Sequence, residues 1–356
     1  MRVTYLVKRW NHHTPAGGYD KLAYCDSDAV IERPALSRVA RRAALSLLMD
    51  GIKTQNYLID YRPEDVLAEW HTLVHAIVSR PDVVHVLYGD EQLNVLIRYR
   101  ALMQQSALLA TFHVPPCRLP AGAYQERKKV AKSVDVAIVV ARSQASELQE
   151  WFGEDRVVYV PHGIDVQRFH PCDTRGVGET RRFLVVGAHM RDWVATHRII
   201  DECNARKLSV QFDVVTAHAE FSHFDGCANT NLHTAISEEE LIGLYQRADA
   251  LLCPVLDSTA NNAILEAMAC GTPVISTAVG GIPDYVDSSA GWLFELGEAS
   301  PIVDLISGIC QNEERARSLR KGARLKALAY DWRQIRMRCL EAYNLAVDLR
   351  SRNPQK

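Results

Sequence analysis

The sequence predicts an α/β protein built from two doubly wound parallel sheets, and its length and its pattern of apolar runs support this. The chain has 356 residues, which corresponds to about two domains of roughly 150 residues each. Short runs rich in β-branched residues alternate with longer amphipathic stretches, as buried parallel strands alternate with helices. Such runs occur at residues 3–7, 83–88, 107–112, 136–141, 157–160, 182–188, 210–215, 250–255, 273–277 and 291–296.

The boundary between the two halves is predicted at the polar segment 171–181, PCDTRGVGETR, which contains one proline and two glycines. We therefore expect an N-terminal Rossmann-like domain over residues 1–172 and a C-terminal one over residues 173–329. Two such domains with a cleft between them would hold a ligand at the carboxyl ends of both sheets.

Composition and charge exclude several classes of protein. Hydrophobic residues make up 47% of the chain and charged residues 24%, which is ordinary for a globular protein. The net charge of −2 argues against a nucleic-acid partner, because nucleic-acid binding needs a strongly basic face. The nine cysteines form no C-x-x-C pair, which fits a reducing compartment, and no uncharged stretch is long enough to span a membrane. We therefore predict a cytoplasmic protein.

The segment from residue 250 to residue 286 carries the strongest functional signal. A predicted strand at 250–255 leads into the polar loop DSTANN and then into a helix that begins at Asn261 or Asn262. Such a loop presents backbone N–H groups and the positive end of a helix dipole, which suit a diphosphate. Glu266, one turn into the helix, is placed to accept hydrogen bonds from two ribose hydroxyls. On physical grounds alone, an ordinary βαβ unit with a surface glutamate explains the pattern equally well.

Four stretches of the chain resemble the retaining glycosyltransferases of family 4, which have the GT-B fold. They are YVPHGIDVQRFHP (159–171), SEEELIGLYQRADALLCPV (237–255), ILEAMACGTPVISTAVGG (264–281) and AYDWRQIRMRCLEAYN (329–344). The resemblance implies two Rossmann-like domains facing across a cleft. The first domain would bind the acceptor and the second the donor, with C-terminal helices at 330–350 packing back on the first domain.

The resemblance also implies which residues bind the donor. They lie in two glycine-containing loops and in the polar loop before the helix: Gly17, Gly18, Gly187, Asp257, Ser258, Thr259, Ala260, Asn261, Asn262 and Glu266. The family shows a Glu-x7-Glu pair, and Ser258 stands here in place of the first glutamate. The loop TANN resembles a subset of the family with this substitution, and the neighbouring Asp257 is a candidate to take over the missing carboxylate.

Two further residues are implied to act at the reacting groups. His113 follows an apolar run and corresponds to a family histidine that hydrogen-bonds a hydroxyl of the donor sugar. The family holds the diphosphate with an arginine and a lysine, and their positions are occupied here by Ala188 and Trp193. Arg191 lies between these positions and is the candidate cation.

The function that the resemblance implies is transfer of a sugar, with retention, from a UDP- or GDP-linked donor to a saccharide or lipid-linked acceptor. Such a step belongs to polysaccharide or glycoconjugate biosynthesis. The resemblance implies no metal and no cofactor besides the nucleotide sugar. Two alternatives stay open: a nucleotide-sugar epimerase of GT-B-like fold, and a non-catalytic nucleotide-sugar-binding subunit.

A basic amphipathic segment at residues 33–49 is a candidate for contact with a membrane surface. Arg38, Arg41 and Arg42 share one face of the predicted helix, and apolar residues share another. A helix of this kind can lie on an anionic membrane, here the inner face of the cell membrane. Packing of the apolar face on its own domain is the alternative explanation.

Overall fold

The computed structural model describes residues 1–9, 18–24, 29–38, 61–115, 130–172, 180–311 and 313–352. These residues form two compact units. The N-terminal unit contains the described residues up to His162 together with the chain from Trp332 onward, and the C-terminal unit contains Gly163–Asp331. Residues 163–172, which the polar segment assigned to the first domain, therefore pack with the C-terminal unit.

The N-terminal unit is built on a parallel six-stranded sheet. Its strands are β1 (Val3–Val7), β2 (Ala29–Glu32), β3 (Val83–Val86), β4 (Ala107–Phe112), β5 (Val136–Val139) and β6 (Val157–Tyr159). They pair in the order β2-β1-β3-β4-β5-β6. Its helices are α1 (Pro63–Ser79), α2 (Asn94–Arg98), α3 (Ala145–Phe152) and the C-terminal helix (Trp332–Arg352), with short 3₁₀ helices at Tyr19–Tyr24, Arg100–Met103, Arg142–Gln144 and Glu154–Arg156.

The core of this unit forms because its central strands are covered on both faces. All residues of β1, β3 and β5 are buried, as expected for runs of β-branched and aliphatic side chains in a parallel sheet. The C-terminal helix packs on the sheet, where the Tyr343 hydroxyl lies 2.9 Å from Nδ1 of His85 on β3. The far end of the chain is thus part of the N-terminal core.

The C-terminal unit is built on a second parallel six-stranded sheet. Its strands are β7 (Arg181–Val186), β8 (Val210–Val215), β9 (Thr230–His233), β10 (Ala250–Cys253), β11 (Val274–Thr277) and β12 (Gly291–Phe294). Its helices are α4 (Trp193–Ala205), α5 (Glu238–Arg247), α6 (Asn262–Ala269), α7 (Ile282–Tyr285), α8 (Ser300–Gln311) and α9 (Glu313–Leu328), with a 3₁₀ helix at His218–Phe224.

The order of the second sheet is β9-β8-β7-β10-β11-β12. Counted within the unit this is 3-2-1-4-5-6, the order of the dinucleotide-binding fold. The direction of winding reverses between β7 and β10, and ligands of such sheets bind where the carboxyl ends of these two strands meet. The predicted α/β class, with two doubly wound parallel sheets, is confirmed.

Within the described part of the chain, no helix is both long enough and apolar enough to cross a membrane.

Candidate functional site

Two loops meet at the carboxyl edge of the C-terminal sheet, one after β7 and one after β10. The backbone N–H of Leu256 donates to the Met190 carbonyl at 2.9 Å, and the N–H of Asp192 donates to the Pro254 carbonyl at 3.0 Å. Because β7 and β10 are the neighbours between which the winding reverses, these loops form the switch point of the sheet. The loops that the sequence singled out for donor binding are therefore one hydrogen-bonded piece of structure.

A third loop, after β11, supports the first part of the polar segment. The N–H of Gly281 donates to the Ser258 carbonyl at 2.7 Å. Gly280 has a φ of +54°, and a Cβ there would lie 2.2 Å from the Ser258 carbonyl oxygen and 2.7 Å from an Asp257 carboxylate oxygen. Glycine is required at residue 280 because a side chain would collide with the loop that the sequence assigns to the donor.

The helix that follows the polar segment begins with a side-chain cap. Asn261 has an extended backbone and accepts a hydrogen bond from the N–H of Ile264. The structure thereby selects Asn261 over Asn262 as the N-cap. The remaining N–H groups of the first turn, with the positive end of the helix dipole, make this end of α6 suitable for an anion.

Glu266 lies inside the C-terminal unit rather than on its surface. The residue is 5% exposed, and Oε2 of its carboxylate accepts a hydrogen bond from the Tyr245 hydroxyl at 2.9 Å. Burial raises the pKa of Glu266 to about 7, the Glu238 carboxylate adds to the rise, and the Tyr245 hydrogen bond opposes it. Both the protonated and the ionised form of the Glu266 carboxyl group are therefore populated near neutral pH.

Arg191 is buried, and its guanidinium binds carbonyl groups of its own loop. Nε and Nη2 donate to the Val186 carbonyl at 2.8 and 2.5 Å, and Nη1 donates to the His189 carbonyl at 3.2 Å. These contacts use three of the five N–H groups of the side chain. Gly187 has a φ of +91° and would place a Cβ 2.8 Å from Nη2 of Arg191. The arginine therefore fixes the shape of the loop after β7.

His113 follows β4 directly, at the carboxyl edge of the N-terminal sheet. Its Nε2 lies 2.8 Å from the Leu87 carbonyl, which requires a proton on Nε2. The ring stacks on Tyr88, with 4.8 Å between ring centroids, and Tyr19 approaches it edge-on at 4.7 Å. Burial lowers the pKa of His113 to about 4, so the ring is neutral at physiological pH and Nδ1 carries its lone pair.

A buried charged cluster at the same edge was not predicted. Lys8, the first residue after β1, is completely buried and lies 2.7 Å from a Glu91 carboxylate oxygen and 3.5 Å from Asp65. The Nη1 atom of Arg33, the first residue after β2, lies 3.7 Å from Asp65. One sequence feature could have predicted this cluster: a lysine directly follows the apolar run at 3–7. A charged residue there stands at the carboxyl end of a central strand.

The remaining predicted site residues are placed as follows. Gly18 has a φ of +100°, which favours glycine, whereas Gly17 lies outside the described residues. Arg38 is exposed, and its predicted partners Arg41 and Arg42 also lie outside the described residues. Thr259 is buried, and Ala260 is partly buried beside it.

Two family models match this chain, one in each unit. Residues 34–168 match the model described as Glycosyltransferase Family 4. Residues 180–312 match the model described as Glycosyl transferases group 1. Each half of the chain therefore resembles a glycosyltransferase domain.

Curated relatives and solved structures agree with these matches. A D-inositol 3-phosphate glycosyltransferase of an Arthrobacter species is 30% identical over 117 residues, which cover 33% of this chain and 28% of that protein. The enzyme of the same name from Xylanimonas cellulosilytica is 25% identical over 272 residues, covering 69% of this chain and 64% of that protein. Both alignments span less than two thirds of the relative's length.

A structural comparison extends over nearly the whole chain. The crystal structure of Anabaena HepE in complex with UDP and glucose superposes with a TM-score of 0.68, at 13% sequence identity. The match covers 96% of this chain and 98% of that one. At this level of identity the comparison establishes the fold.

Proposed function

We propose, from the match of each half of this chain to a glycosyltransferase family model, that the protein is a retaining glycosyltransferase of the family 4 type. Its donor is a UDP- or GDP-linked sugar, and its acceptor is a saccharide or a lipid-linked saccharide in polysaccharide or glycoconjugate synthesis. The observation that carries the proposal is the pair of hydrogen-bonded loops at the switch point of the C-terminal sheet.

We assign donor binding to the C-terminal unit. The diphosphate binds at the start of α6 and at the loop held by Arg191, where N–H groups and the helix dipole supply positive potential. The loop from Asp257 to Asn262, with Ser258 in place of a glutamate, contacts the sugar and the phosphates. The Glu266 carboxylate accepts hydrogen bonds from the ribose hydroxyls at positions that the Tyr245 hydroxyl does not occupy.

The chemical step breaks the bond between the anomeric carbon and the phosphate oxygen, and a bond from the acceptor hydroxyl oxygen to the same carbon replaces it. Both electrons of the broken bond leave with the phosphate, so negative charge grows on the diphosphate. The proton of the acceptor hydroxyl passes to the departing phosphate oxygen. Stabilisation of the growing charge by fixed N–H groups and by a cation is the main catalytic contribution of the protein.

His113 is assigned to the donor sugar. Its neutral ring, fixed by the Leu87 carbonyl and packed between Tyr19 and Tyr88, presents a preorganised acceptor at Nδ1. A hydroxyl of the sugar that donates to this nitrogen is held in one orientation. His113→Ala should therefore lower turnover while leaving the affinity for free nucleotide nearly unchanged.

The test begins with identification of the donor. Thermal shifts with UDP-, GDP- and ADP-linked sugars rank the donors, because a ligand present at 100 times its Kd stabilises the folded state by about 2.7 kcal/mol. Transfer to saccharide acceptors is then followed by release of nucleoside diphosphate, and the anomeric configuration of the product is read by NMR. An inverted product contradicts the retaining mechanism.

The same assay separates the two alternative functions. Conversion of the donor to an isomeric nucleotide sugar without transfer identifies an epimerase. Nucleotide-sugar binding with neither transfer nor slow donor hydrolysis identifies a binding subunit. Calorimetry adds a residue-level test: Glu266→Gln should weaken free nucleotide and intact donor alike, by about 10- to 150-fold for lost charge-assisted bonds of about 1.5–3 kcal/mol.

Transfer is proposed to need no metal ion, since the loops assigned to the donor offer N–H groups and a guanidinium rather than a carboxylate cluster. Activity should persist in excess EDTA. Loss of activity that Mn²⁺ restores would refute this assignment.

Peripheral binding to an anionic membrane is proposed for the basic segment that includes Arg38. Changing Arg38, Arg41 and Arg42 together to Glu should reduce sedimentation with anionic liposomes and leave nucleotide binding unchanged. If the wild-type protein does not sediment with such liposomes at low salt, the segment has no membrane role.

A further inference from the structure

Three metal-binding side chains converge on one side of the C-terminal unit, and none of them belongs to the loops assigned to the donor. His197 and Asp201 lie one turn apart on α4, with 3.1 Å between Nδ1 and Oδ2. Cys227 follows the 3₁₀ helix His218–Phe224, which packs against α4. The three ligand atoms all lie within 4.8 Å of one another.

This combination of ligands is specific in its chemistry. Imidazole nitrogen, thiolate sulfur and carboxylate oxygen are the three ligand types that Zn²⁺ takes in proteins, at bond lengths of about 2.0–2.3 Å. A tetrahedron with such bonds has edges of about 3.3–3.8 Å. The His197–Asp201 separation is already close to this edge, and the thiol needs to approach by about one ångström, which a side-chain rotation provides.

We propose that His197, Asp201 and Cys227 form a zinc site that joins α4 to the segment at residues 218–227. The soft thiolate selects zinc over Mg²⁺ or Ca²⁺, which prefer oxygen ligands alone. Water or the carboxylate of the nearby Asp225 completes the coordination. Within the described part of the chain, no other group of three or more such side chains lies this close together.

The surroundings of the site favour a bound cation. The carboxylates of Asp201 and Asp225 interact electrostatically with the Cys227 side chain, so negative charge is concentrated at this point. His197 and Asp201 are partly exposed, so an ion can reach them from solvent. Trp193 at the start of α4 stacks on His223 and packs edge-on against Phe224, which holds the two elements in register. The two elements that carry the ligands are therefore held together before a metal binds.

The competing explanation for the cluster is a surface ion pair between His197 and Asp201, in which the Cys227 thiol has no role. Such i,i+4 pairs contribute little to stability, and they do not depend on a cysteine elsewhere in the chain. The two explanations therefore differ in what happens when Cys227 is changed.

The experiment measures metal binding to the full chain. Protein freed of metal with EDTA and then desalted is titrated with Zn²⁺ against a chromophoric chelator. The expected result is one tightly bound Zn²⁺ per chain and a higher Tm with zinc than without it. Co²⁺, used as a spectroscopic probe, should give a thiolate-to-cobalt charge-transfer band.

Variants identify the ligands. His197→Gln, Asp201→Asn and Cys227→Ser should each weaken zinc binding at least tenfold, and Cys227→Ser should remove the cobalt–thiolate band. Matched controls are Cys310→Ser, another half-buried cysteine of the same unit, and His218→Gln, an exposed histidine next to the site; both should bind zinc like the wild type. Each variant's metal-free circular dichroism spectrum shows whether it is folded.

Two outcomes overturn the proposal. One is a wild-type chain that binds no stoichiometric zinc in competition with the chelator. The other is a folded Cys227→Ser or His197→Gln variant that binds zinc as tightly as the wild type, because the ion would then sit elsewhere. Transfer activity is not needed for either measurement, so failure here leaves the proposed function intact.

Discussion

The Tyr245 hydroxyl on α5 donates a hydrogen bond, 2.9 Å long, to the Glu266 carboxylate on α6, and both residues are buried in the C-terminal unit. These helices flank β10 in the sequence, so the bond joins the segment before the donor-loop strand to the segment after it. A carboxyl group held in this way pays a desolvation cost when it ionises, which is why its pKa lies at about 7.

This shift gives the first prediction, a pH dependence of stability. An unfolded glutamate has a pKa near 4.5, so between pH 4.5 and 7 the folded state holds a proton that the unfolded state has released. Stability from this group is therefore present below pH 4.5 and is lost as the pH rises to 7. The full change is about 3 kcal/mol, as an upper limit, from a difference of about 2.5 pKa units.

Glu266→Gln should remove this contribution. Between pH 4.5 and pH 7.5, the unfolding free energy of the C-terminal unit should fall by up to about 3 kcal/mol more in the wild type than in the variant. Urea titrations across this range measure it. Tyr245→Phe removes the bond that lowers the pKa, so the loss of stability should extend to higher pH than in the wild type. Parallel curves for wild type and Glu266→Gln would contradict the assignment.

The second prediction concerns Gly280 and its contact with the donor loop. Gly280→Ala introduces a Cβ that overlaps the Ser258 carbonyl, so the loop must move and nucleotide-sugar affinity should fall at least tenfold. Gly297→Ala is the matched control, because Gly297 also has a positive φ, of +87°, but a Cβ there meets nothing within 4 Å. Both variants carry the backbone strain of about 1 kcal/mol, and only Gly280→Ala disturbs the loop.

Calorimetry with the preferred nucleotide sugar compares the two glycine variants. Equal affinity for both variants would show that the loop at Asp257 and Ser258 does not contact the donor. Thermal unfolding without ligand should show a similar fall in Tm from backbone strain in both variants. Gly280→Ala should show an additional fall in Tm from the collision with the Ser258 carbonyl.

The third prediction tests how the C-terminal helix is held in the N-terminal unit. His85 lies between the Tyr343 hydroxyl at 2.9 Å and the Thr111 hydroxyl at 2.8 Å, and burial lowers its pKa to about 3, so it bonds as a neutral ring. His85→Leu and Tyr343→Phe should therefore show a coupling energy of about 1 kcal/mol in a double-mutant cycle.

A control cycle uses Tyr61→Phe. The Tyr61 hydroxyl belongs to the same unit but bonds to Glu69 instead of His85, so its effect should add to that of His85→Leu. Urea unfolding of the single and double variants gives both coupling energies. A value near zero for His85 and Tyr343 would mean that this hydrogen bond does not help to hold the helix.

The sequence predicted the central strands and missed two edge strands. Strands β1 and β10 are fully buried and read as continuous apolar runs. Strands β2 and β9 lie at sheet edges, pair on one side only and are largely half-buried or exposed. The sequence AVIE of β2 has only three apolar residues in a row, and the sequence TNLH of β9 is mainly polar, so neither stands out as an apolar run. Edge position alone does not decide this, because the edge strands β6 and β12 coincide with the predicted runs at 157–160 and 291–296.

In the candidate site, too, some features could be predicted from the sequence and others could not. The loop and helix around Asn261 follow from one contiguous stretch, because strand, cap and helix are local features. The burial of Glu266 against Tyr245, and the pairing of Lys8 with Glu91, join residues far apart in the chain, and no local pattern encodes such contacts. For this reason, the contacts of the site side chains were less predictable than the elements on which these residues lie.

The last prediction separates two roles for Arg191. The sequence assigns its charge to the diphosphate, whereas the structure places its guanidinium on the carbonyls of Val186 and His189. Lysine keeps the charge but has a single ammonium on a flexible stem, so it cannot bond both carbonyls in the planar arrangement of a guanidinium. Arg191→Lys should therefore lower the stability of the C-terminal unit by about 1–3 kcal/mol, the cost of leaving buried carbonyls unsatisfied.

Arg182→Lys is the matched control, since Arg182 is on the adjoining strand β7, is half exposed and makes one ion pair, with Asp213. It should change stability by less than about 0.5 kcal/mol. Thermal unfolding without ligand and calorimetry with free nucleoside diphosphate are run on both variants. A stable Arg191→Lys that loses nucleotide affinity would identify a phosphate-binding cation. A destabilised Arg191→Lys whose nucleotide affinity falls little would identify a residue that acts by shaping the loop, which is the result that its three carbonyl contacts lead us to expect.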